Sequence, residues 1–320
     1  MEIKRELNAN LARPKEPVVG EVIENRSIVD SSSPHFCRHV TINVAGTKLE
    51  GNFDAGQAFG VIPEWEHYQE YNKLKISSED QKLRLYSIAA PFWGDDGRGK
   101  TLSTTVKRVV DEDWESNQLF LGVASNYLCD AQVGDKIKMT GPTGKHFVLP
   151  DDDQLNDYQY VFVATGTGIA PFRGMVMELL EAGIQNDIHL IFGTPYSTDL
   201  LYGDLFREYD ENVDNFHFHL AVSREQTTED GEKMYVQRRL NEDWGQFESM
   251  LNDDHTLFYI CGLKGMETGL YRVLLEQGCT DYFEDLPDEL SGVDFSEISD
   301  RDDRLKKAKP NKDRLLVEVY

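Results

Sequence analysis

Two glycines and two threonines within Tyr160-Val-Phe-Val-Ala-Thr-Gly-Thr-Gly-Ile-Ala-Pro-Phe-Arg173 set the first chemical expectation. Gly166 and Gly168 let the backbone turn sharply and present its N–H groups to a ligand with no side chain in the way. The apolar run from Tyr160 to Ala164 reads as a buried strand. Pro171 suits the first position of a helix, and Met175, Val176, Leu179 and Leu180 continue at helical spacing until Gly183 ends it. A strand, a glycine turn and a helix N-terminus together make an anion site, usually for a phosphate. A tight connection in any doubly wound sheet looks the same, so the surrounding residues have to decide.

Arg84-Leu-Tyr-Ser-Ile-Ala89 is the second such stretch. A guanidinium can grip a pyrophosphate in bidentate fashion, an aromatic ring can stack on a flat heterocycle, and a hydroxyl can bond its edge. On a strand, Arg84 and Tyr86 point to one face. Taken alone, the segment is more often an ordinary half-exposed strand. Cys261, just before Gly262, stands at a strand end, where position alone makes it a small buried hydrophobe. His217 and His219 alternate with apolar neighbours; the spacing can bind metal, but no third ligand is evident and a structural role is favoured. Cys37, Cys129, Cys261 and Cys279 are scattered, without the spacing of a zinc site, an iron–sulfur cluster or a disulfide framework, so a reducing cytoplasm fits.

These residues have to be positioned by two kinds of architecture. The chain has 320 residues, room for two domains. Residues 1–17 read as a flexible, charged lead-in without the apolar core of a secretory signal. From 18 to 152 the pattern is short strands at Val18–Ile23, Val40–Val44, Phe59–Ile62, Leu83–Ala89, Ser103–Val110, Leu119–Val123 and Lys136–Met139, which predicts an antiparallel barrel or sandwich. Residues 64–82 read as an irregular polar loop. From 153 to 320 strands near 160–164, 188–193, 216–222, 256–261 and 315–319 alternate with helices near 171–182, 199–209, 234–251 and 265–277. This alternation predicts a parallel sheet with a ligand crevice at its carboxyl edge. In the helix expected before His255, Val236, Leu240, Phe247 and Leu251 recur on one face. Residues 281–314 interrupt the alternation with ten acids between Asp281 and Asp303 and then a basic cluster ending at Arg314, which reads as an exposed insertion, partly helical or mobile.

The formal charge is −24, of which residues 1–150 carry −3 and residues 151–320 carry −21. Such an acidic surface argues against nucleic acid as a partner, and no apolar run is long enough for membrane insertion. An anionic partner could approach only the near-neutral first half.

Eight motifs in order carry a family resemblance. They are Arg84-Leu-Tyr-Ser87, Gly122-Val-Ala-Ser-Asn-Tyr-Leu-Cys-Asp130, Thr140-Gly-Pro-Thr-Gly-Lys145, Gly166-Thr-Gly-Ile-Ala-Pro-Phe-Arg173, Val222-Ser-Arg-Glu-Gln226, Gly231-Glu-Lys-Met-Tyr-Val-Gln237, Cys261-Gly-Leu-Lys-Gly-Met-Glu267 and Val317-Glu-Val-Tyr320. Together they closely resemble the plant-type ferredoxin–NADP⁺ reductases of plastids and cyanobacteria, over roughly residues 17–280 and the last few residues. The resemblance implies an antiparallel β-barrel FAD-binding domain followed by an α/β parallel-sheet NADP-binding domain. It implies an FAD-dependent oxidoreductase exchanging electrons between NADP(H), by hydride at flavin N5, and a one-electron carrier, ferredoxin in the first reading. A reductase serving flavodoxin or an oxygenase, and a redox-silent binding protein on the same fold, are the alternatives.

By the resemblance, Arg84 would bind the FAD pyrophosphate, Tyr86 would stack on the isoalloxazine, and Ser87 would bond near flavin N5. Gly122, Val123, Ala124 and Ser125 would cradle the pyrophosphate with backbone N–H groups; family members often carry a cysteine at the position of Ala124. The aromatic residue that commonly stacks on the adenine is absent at Val110-Asp111. Thr165, Gly166, Thr167 and Gly168 would take the NADP pyrophosphate with help from Lys107. Ser223, Arg224, Lys233 and Tyr235 would surround the 2′-phosphate and adenine, with Gln237, Gly262 and Leu263 also in the cofactor set. A cationic pair and a hydroxyl favour a dianionic phosphate, whereas an acid would favour a free ribose diol. Cys261 would stand beside the nicotinamide and Glu318 would join Ser87 and Cys261 around the reacting atoms, while Tyr320 would stack on the flavin. An acidic carrier would dock on the first domain, where Lys73, Lys75 and Lys82 are candidate cations, with the cluster from Arg304 to Arg314 as the second choice.

Overall fold

A computed structural model describes residues 7–64, 83–113 and 118–320. Lys73, Lys75 and Lys82, and all but the first residue of the loop expected at 64–82, lie outside the described residues. The described chain divides into two compact units, residues 7–148 with 170–178, and residues 149–169 with 179–320. Among the described residues no helix is long and apolar enough to cross a membrane.

The strands of the first unit are β1 (Val18–Ser27), β2 (Cys37–Asn43), β3 (Ala58–Ile62), β4 (Arg84–Ser87), β5 (Thr101–Lys107), β6 (Val110–Asp113), β7 (Gln118–Leu121) and β8 (Lys136–Thr143). Six of them form one antiparallel sheet in the order β4-β3-β8-β1-β2-β5, and β6 pairs with β7 in a separate hairpin. Its two edges meet just beyond β4, where Ala89 N donates to Ser103 O at 2.8 Å and Thr104 Oγ1 donates to Ser87 O at 2.8 Å. A sheet that curls onto itself removes its exposed edges and gives the expected barrel. Val22, Val40, Ile42, Val61, Leu102, Ile137 and Met139 fill its interior. The sequence reading contained no helix between β7 and β8; the structure places α1 there (Val123–Asp130), with Ala124 and Leu128 buried four residues apart. Eight residues are too few to show a helical period clearly in sequence.

The second unit alternates β9 (Gln159–Thr165), α2 (Ile169–Glu181), β10 (Ile188–Thr194), α3 (Gly203–Asn212), β11 (Phe216–Val222), α4 (Val236–Glu242), α5 (Trp244–Leu251), β12 (Thr256–Gly262) and α6 (Met266–Glu276). It ends with β13 (Phe283–Asp285), β14 (Lys309–Pro310) and β15 (Leu315–Val319). Residues 170–178 of α2 cluster with the first unit. Five strands are parallel in the order β11-β10-β9-β12-β15. Val161, Val163, Ile191, Phe258, Ile260 and Leu315 face a core shared with α4, α5 and α6, while Phe162 and Tyr259 alternate with them onto the other face, their ring centroids 5.2 Å apart. The single helix expected over 234–251 is two. Asp243 breaks it in a non-helical conformation and takes Arg239 Nη1 at 3.4 Å. Val236, Leu240, Phe247 and Leu251 are nevertheless all buried on the same core.

The insertion at 281–314, expected to be exposed and partly helical or mobile, is largely exposed and carries short 3-10 turns at Thr280–Tyr282, Asp288–Leu290, Phe295–Glu297 and Leu305–Lys307, but it is docked at a few points. Tyr282, Phe283, Leu290, Leu305 and Ala308 are buried in the α4–α6 core, and β13 pairs with β14. These few apolar residues are spaced among acids that remain at the surface, and composition averages them away. Five of the six basic residues from Arg304 to Arg314 are paired locally: Arg304 with Asp302 at 2.8 Å, Lys306 with Asp303 at 2.6 Å, Lys307 with Glu289 at 2.8 Å, Lys309 with Asp285 at 3.0 Å and Arg314 with Asp254 at 3.3 Å.

Sequence reading singled out His217 and His219 but not their partner His189, a buried residue of β10. His189 Nδ1 and His219 Nε2 share a hydrogen bond at 3.0 Å, which requires one ring to accept and so cannot survive protonation of both. Burial, then His219 and His217, hold the His189 pKa down at about 3. In the first unit His39 is held at about 3 by burial and by Arg173. The folded values lie below the unfolded one, so under about pH 6.5 the unfolded chain binds protons that the folded protein does not. Stability contributed by these rings is therefore complete above about pH 6.5 and falls from there towards pH 3, by up to about 1.4 kcal/mol per pH unit for each. The urea midpoint should drop between about pH 7.5 and about pH 5, and His189→Asn should flatten that slope. A variant with the same slope as the parent would show that His189 protonates freely in the folded protein.

Candidate active site

The strand order of the second unit reverses between β9 and β12, so the loops leaving these neighbours diverge and open a crevice at the carboxyl edge. Gly166 turns in the left-handed region with φ 53° and starts the turn Gly166–Gly168 that leads into α2. Gly168 is there for space: a Cβ on it would lie 2.2 Å from the carbonyl oxygen of Cys261. Gly262 is equally tight, since a Cβ would lie 2.2 Å from Thr165 Oγ1. Thr165 does not cap the turn with its side chain. Its hydroxyl instead accepts from Leu263 N at 3.1 Å and donates to Met266 Sδ at 3.1 Å, which ties the end of β9 to the end of β12. The first N–H groups of the turn thus have no side-chain cap, as an anion site requires.

β12 and β15 run in register with Cys261 opposite Glu318. Cys261 is fully buried, and burial, then Glu318, raise its thiol pKa well above the ordinary range, so it is a neutral thiol and not a nucleophilic thiolate. Burial raises the Glu318 carboxyl as well, and its Oε2 is buried without a hydrogen-bond partner. Tyr320 is fixed at three points: its N donates to Gly262 O at 3.0 Å, its O accepts from Lys264 N at 2.9 Å, and its phenol shares a hydrogen bond with Thr167 Oγ1 at 2.6 Å. The phenol therefore rests on the glycine turn.

A second group gathers at the same edge on the connection from β11 to α4. Ser223 and Arg224 leave β11; the bridge between Thr227 and Lys233, with Met234 N donating to Gln226 O at 3.1 Å, folds the connection back. This brings Lys233 and Tyr235, both exposed, to the start of α4. Sequence reading missed Tyr196, whose hydroxyl accepts from Arg224 Nη1 at 2.7 Å and whose ring lies 5.2 Å from the guanidinium carbon. An aromatic residue two positions past the carboxyl end of β10 was the available signal. Gln237, expected in the cofactor set, directs its amide to Asp300 Oδ2 at 2.9 Å. Leu263 is exposed beside the crevice while its N–H is held by Thr165.

In the first unit, β4 places Arg84, exposed, and Tyr86, half-buried, on one side, opposite Val61 and Phe59 of β3. Ser87 follows at the barrel seam. Gly122 caps α1 without a side-chain bond, leaving the N–H groups of Val123, Ala124 and Ser125 at an open helix start. A Cβ on Gly122 would meet Ser125 Oγ at 2.7 Å and Val109 Cβ at 2.8 Å, so only glycine fits. Ser125 Oγ in turn accepts from Val109 N at 3.2 Å, which fixes the strand end where Lys107 is exposed. An arginine, a half-buried ring and a glycine-capped helix start suit a flavin dinucleotide: cation and N–H groups for its pyrophosphate, a flat face for its ring. Val110 and Asp111 are exposed, and neither is aromatic.

Residues 162–271 match the family described as Oxidoreductase NAD-binding domain. The chain is 41% identical over 265 residues to the ferredoxin–NADP reductase of Picosynechococcus sp., a match covering 81% of this chain and 63% of that protein. It is 36% identical over 317 residues to the chloroplastic leaf isozyme 1 of Arabidopsis thaliana ferredoxin–NADP reductase, covering 97% of this chain and 79% of that one. Among solved structures, the ferredoxin–NADP⁺ reductase of Plasmodium falciparum with 2′P-AMP aligns with a TM-score of 0.67 at 24% identity, covering 84% of this chain and 96% of that one, and so shares the fold. With its barrel, its parallel sheet and relatives at this identity over nearly its whole length, the chain belongs to the ferredoxin–NADP⁺ reductase family of oxidoreductases.

Proposed function

We propose that the protein exchanges electrons between NADP(H) and a one-electron carrier, with FAD as its prosthetic group and ferredoxin as the carrier. The observation that carries the coenzyme assignment is the connection from Ser223 to Tyr235, which gathers a hydroxyl, a tyrosine-held arginine, a lysine and an aromatic ring at a strand carboxyl edge, with no acid among those four. That set suits a phosphate dianion beside a purine. The names of the relatives, and the 2′P-AMP of the Plasmodium structure, support the same reading.

FAD, when bound, supplies the hydride and single-electron chemistry; the chain supplies binding, orientation and protection from water. Arg84 and the N–H groups of Gly122 to Ser125 hold the FAD pyrophosphate, and Tyr86 and Ser87 meet the ring. The turn Thr165–Gly168 takes the pyrophosphate of the coenzyme. Cys261 orients the nicotinamide by packing, since its thiol stays neutral. Glu318, its carboxyl pKa raised by burial, stands opposite Cys261 at the end of β15. Tyr320, bonded to Thr167, lies over the turn that the coenzyme has to reach. Ferredoxin docks on the barrel side, because the cluster from Arg304 to Arg314 is already largely paired with acids and offers little free positive charge.

FAD should copurify, and Arg84→Ala should release it at lower urea than the parent; colourless protein that cannot be reconstituted with FAD would refute the assignment. Arg224→Ala should weaken NADPH binding by about tenfold or more, from the loss of a charge-assisted contact, with little change for NADH. Tyr196→Phe should show the same selectivity more weakly, and equal losses for both coenzymes would make the pair merely structural. Tyr320→Ser should tighten NADP⁺ and narrow the preference for NADPH over NADH, because the coenzyme no longer displaces a ring. An unchanged ratio in folded, FAD-loaded protein would rule out displacement.

A further inference from the structure

Asp300, in the inserted segment, stands at the junction of three elements. Its Oδ1 accepts from Arg272 Nε of α6 at 2.6 Å, and its Oδ2 accepts from Gln237 Nε2 of α4 at 2.9 Å and lies 3.6 Å from Arg238 Nη2 of the same helix. Arg272 is buried and is completed by Glu276 Oε2 at 2.6 Å and Phe295 O at 3.1 Å. Two arginines and two carboxylates thus satisfy one another in a largely enclosed site, where charged partners hold tightly defined geometry.

Gln237 and Arg238 belong to the first turn of α4, and Tyr235 is the residue from which that helix starts, with Lys233 two positions earlier. The helix has no side-chain cap to fix its start. Its position is set from behind, by Gly193, where a Cβ would lie 2.6 Å from Val236 Cγ1, and by Asp300. We infer that the segment from Asp281 to Arg314 is a strut for the coenzyme site, and that Asp300, acting through Gln237 and Arg238, is a positioning residue for the 2′-phosphate group. The inference rests on the reading of Ser223–Tyr235 as the 2′-phosphate site. It also gives the inserted segment a task, which an exposed acidic loop would not have.

The test is calorimetric titration of the full-length protein with adenosine 2′,5′-bisphosphate and with 5′-AMP, which differ only in the 2′-phosphate. Asp300→Ala should weaken the bisphosphate by roughly two- to thirtyfold, the range for residues that act on a site through packed neighbours, and 5′-AMP by clearly less. Gln237→Met should weaken the bisphosphate in the same sense while leaving the ion pair of Arg272 and Asp300 intact, so it carries the test if Asp300→Ala does not fold. Because Asp300 acts partly through Gln237, the double variant should bind no worse than Asp300→Ala alone. Variants that melt earlier yet bind the bisphosphate like the parent would overturn the strut, and so would equal losses for both ligands. Additive losses would overturn the route through Gln237. A parent protein that binds both ligands equally would overturn the 2′-phosphate reading itself, and the strut with it.

Discussion

The contact on which the second unit's site depends is between backbone and backbone. Gly168 comes so close to the carbonyl of Cys261 that no side chain can stand between them. This approach is possible only where neighbouring parallel strands send their connections in opposite directions, as β9 and β12 do. Once it is made, much else follows. Thr165 can reach Leu263 and Met266, Gly262 has to be glycine, and the residues opposite one another on β12 and β15 are brought to the same depth. The chemistry assigned to Cys261 and Glu318 then comes from burial. Burial raises both pKa values, and the Glu318 carboxyl adds to the rise at Cys261.

The acidic surface and the site follow different rules. A balance of −21 over residues 151–320 would repel an anionic coenzyme if charge acted only as a sum. Screening shortens its reach to roughly 8 Å at physiological salt, so under the proposed function the local arrangement of Arg224, Lys233 and the uncapped turn outweighs the sum. In the inserted segment acids and bases pair at short range, and the basic cluster seen in sequence largely vanishes as a field.

Much of this was legible in the sequence. Both architectures followed from periodicity, since alternation in the first half and a strand–helix rhythm in the second are imposed by burial itself. The five parallel strands were placed to within a residue or so at their ends. What escaped were features decided by tertiary partners. Asp243 leaves the helical conformation between α4 and α5 although the apolar spacing runs on through it. His189 looked apolar in context and became notable only when β11 laid His219 beside it. Tyr196 and Asp300 act on residues 28 and 63 positions away, respectively, Arg224 and Gln237. The docking of the inserted segment escaped for a different reason: five buried apolar residues among many acids are enough to dock a chain but too few to shift its composition.

The barrel seam has a bearing on Ser87 that goes beyond its side chain. The two ends of the six-stranded sheet are joined there by the amide of Ala89 and the hydroxyl of Thr104, the latter held by the carbonyl of Ser87 itself. A closed sheet that loosens does so first where fewest bonds cross. The residue assigned to the flavin edge therefore stands on the barrel's zip fastener. The backbone of Ser87 holds its place only while the cylinder stays shut, so anything that stiffens the seam also steadies this residue without touching its side chain.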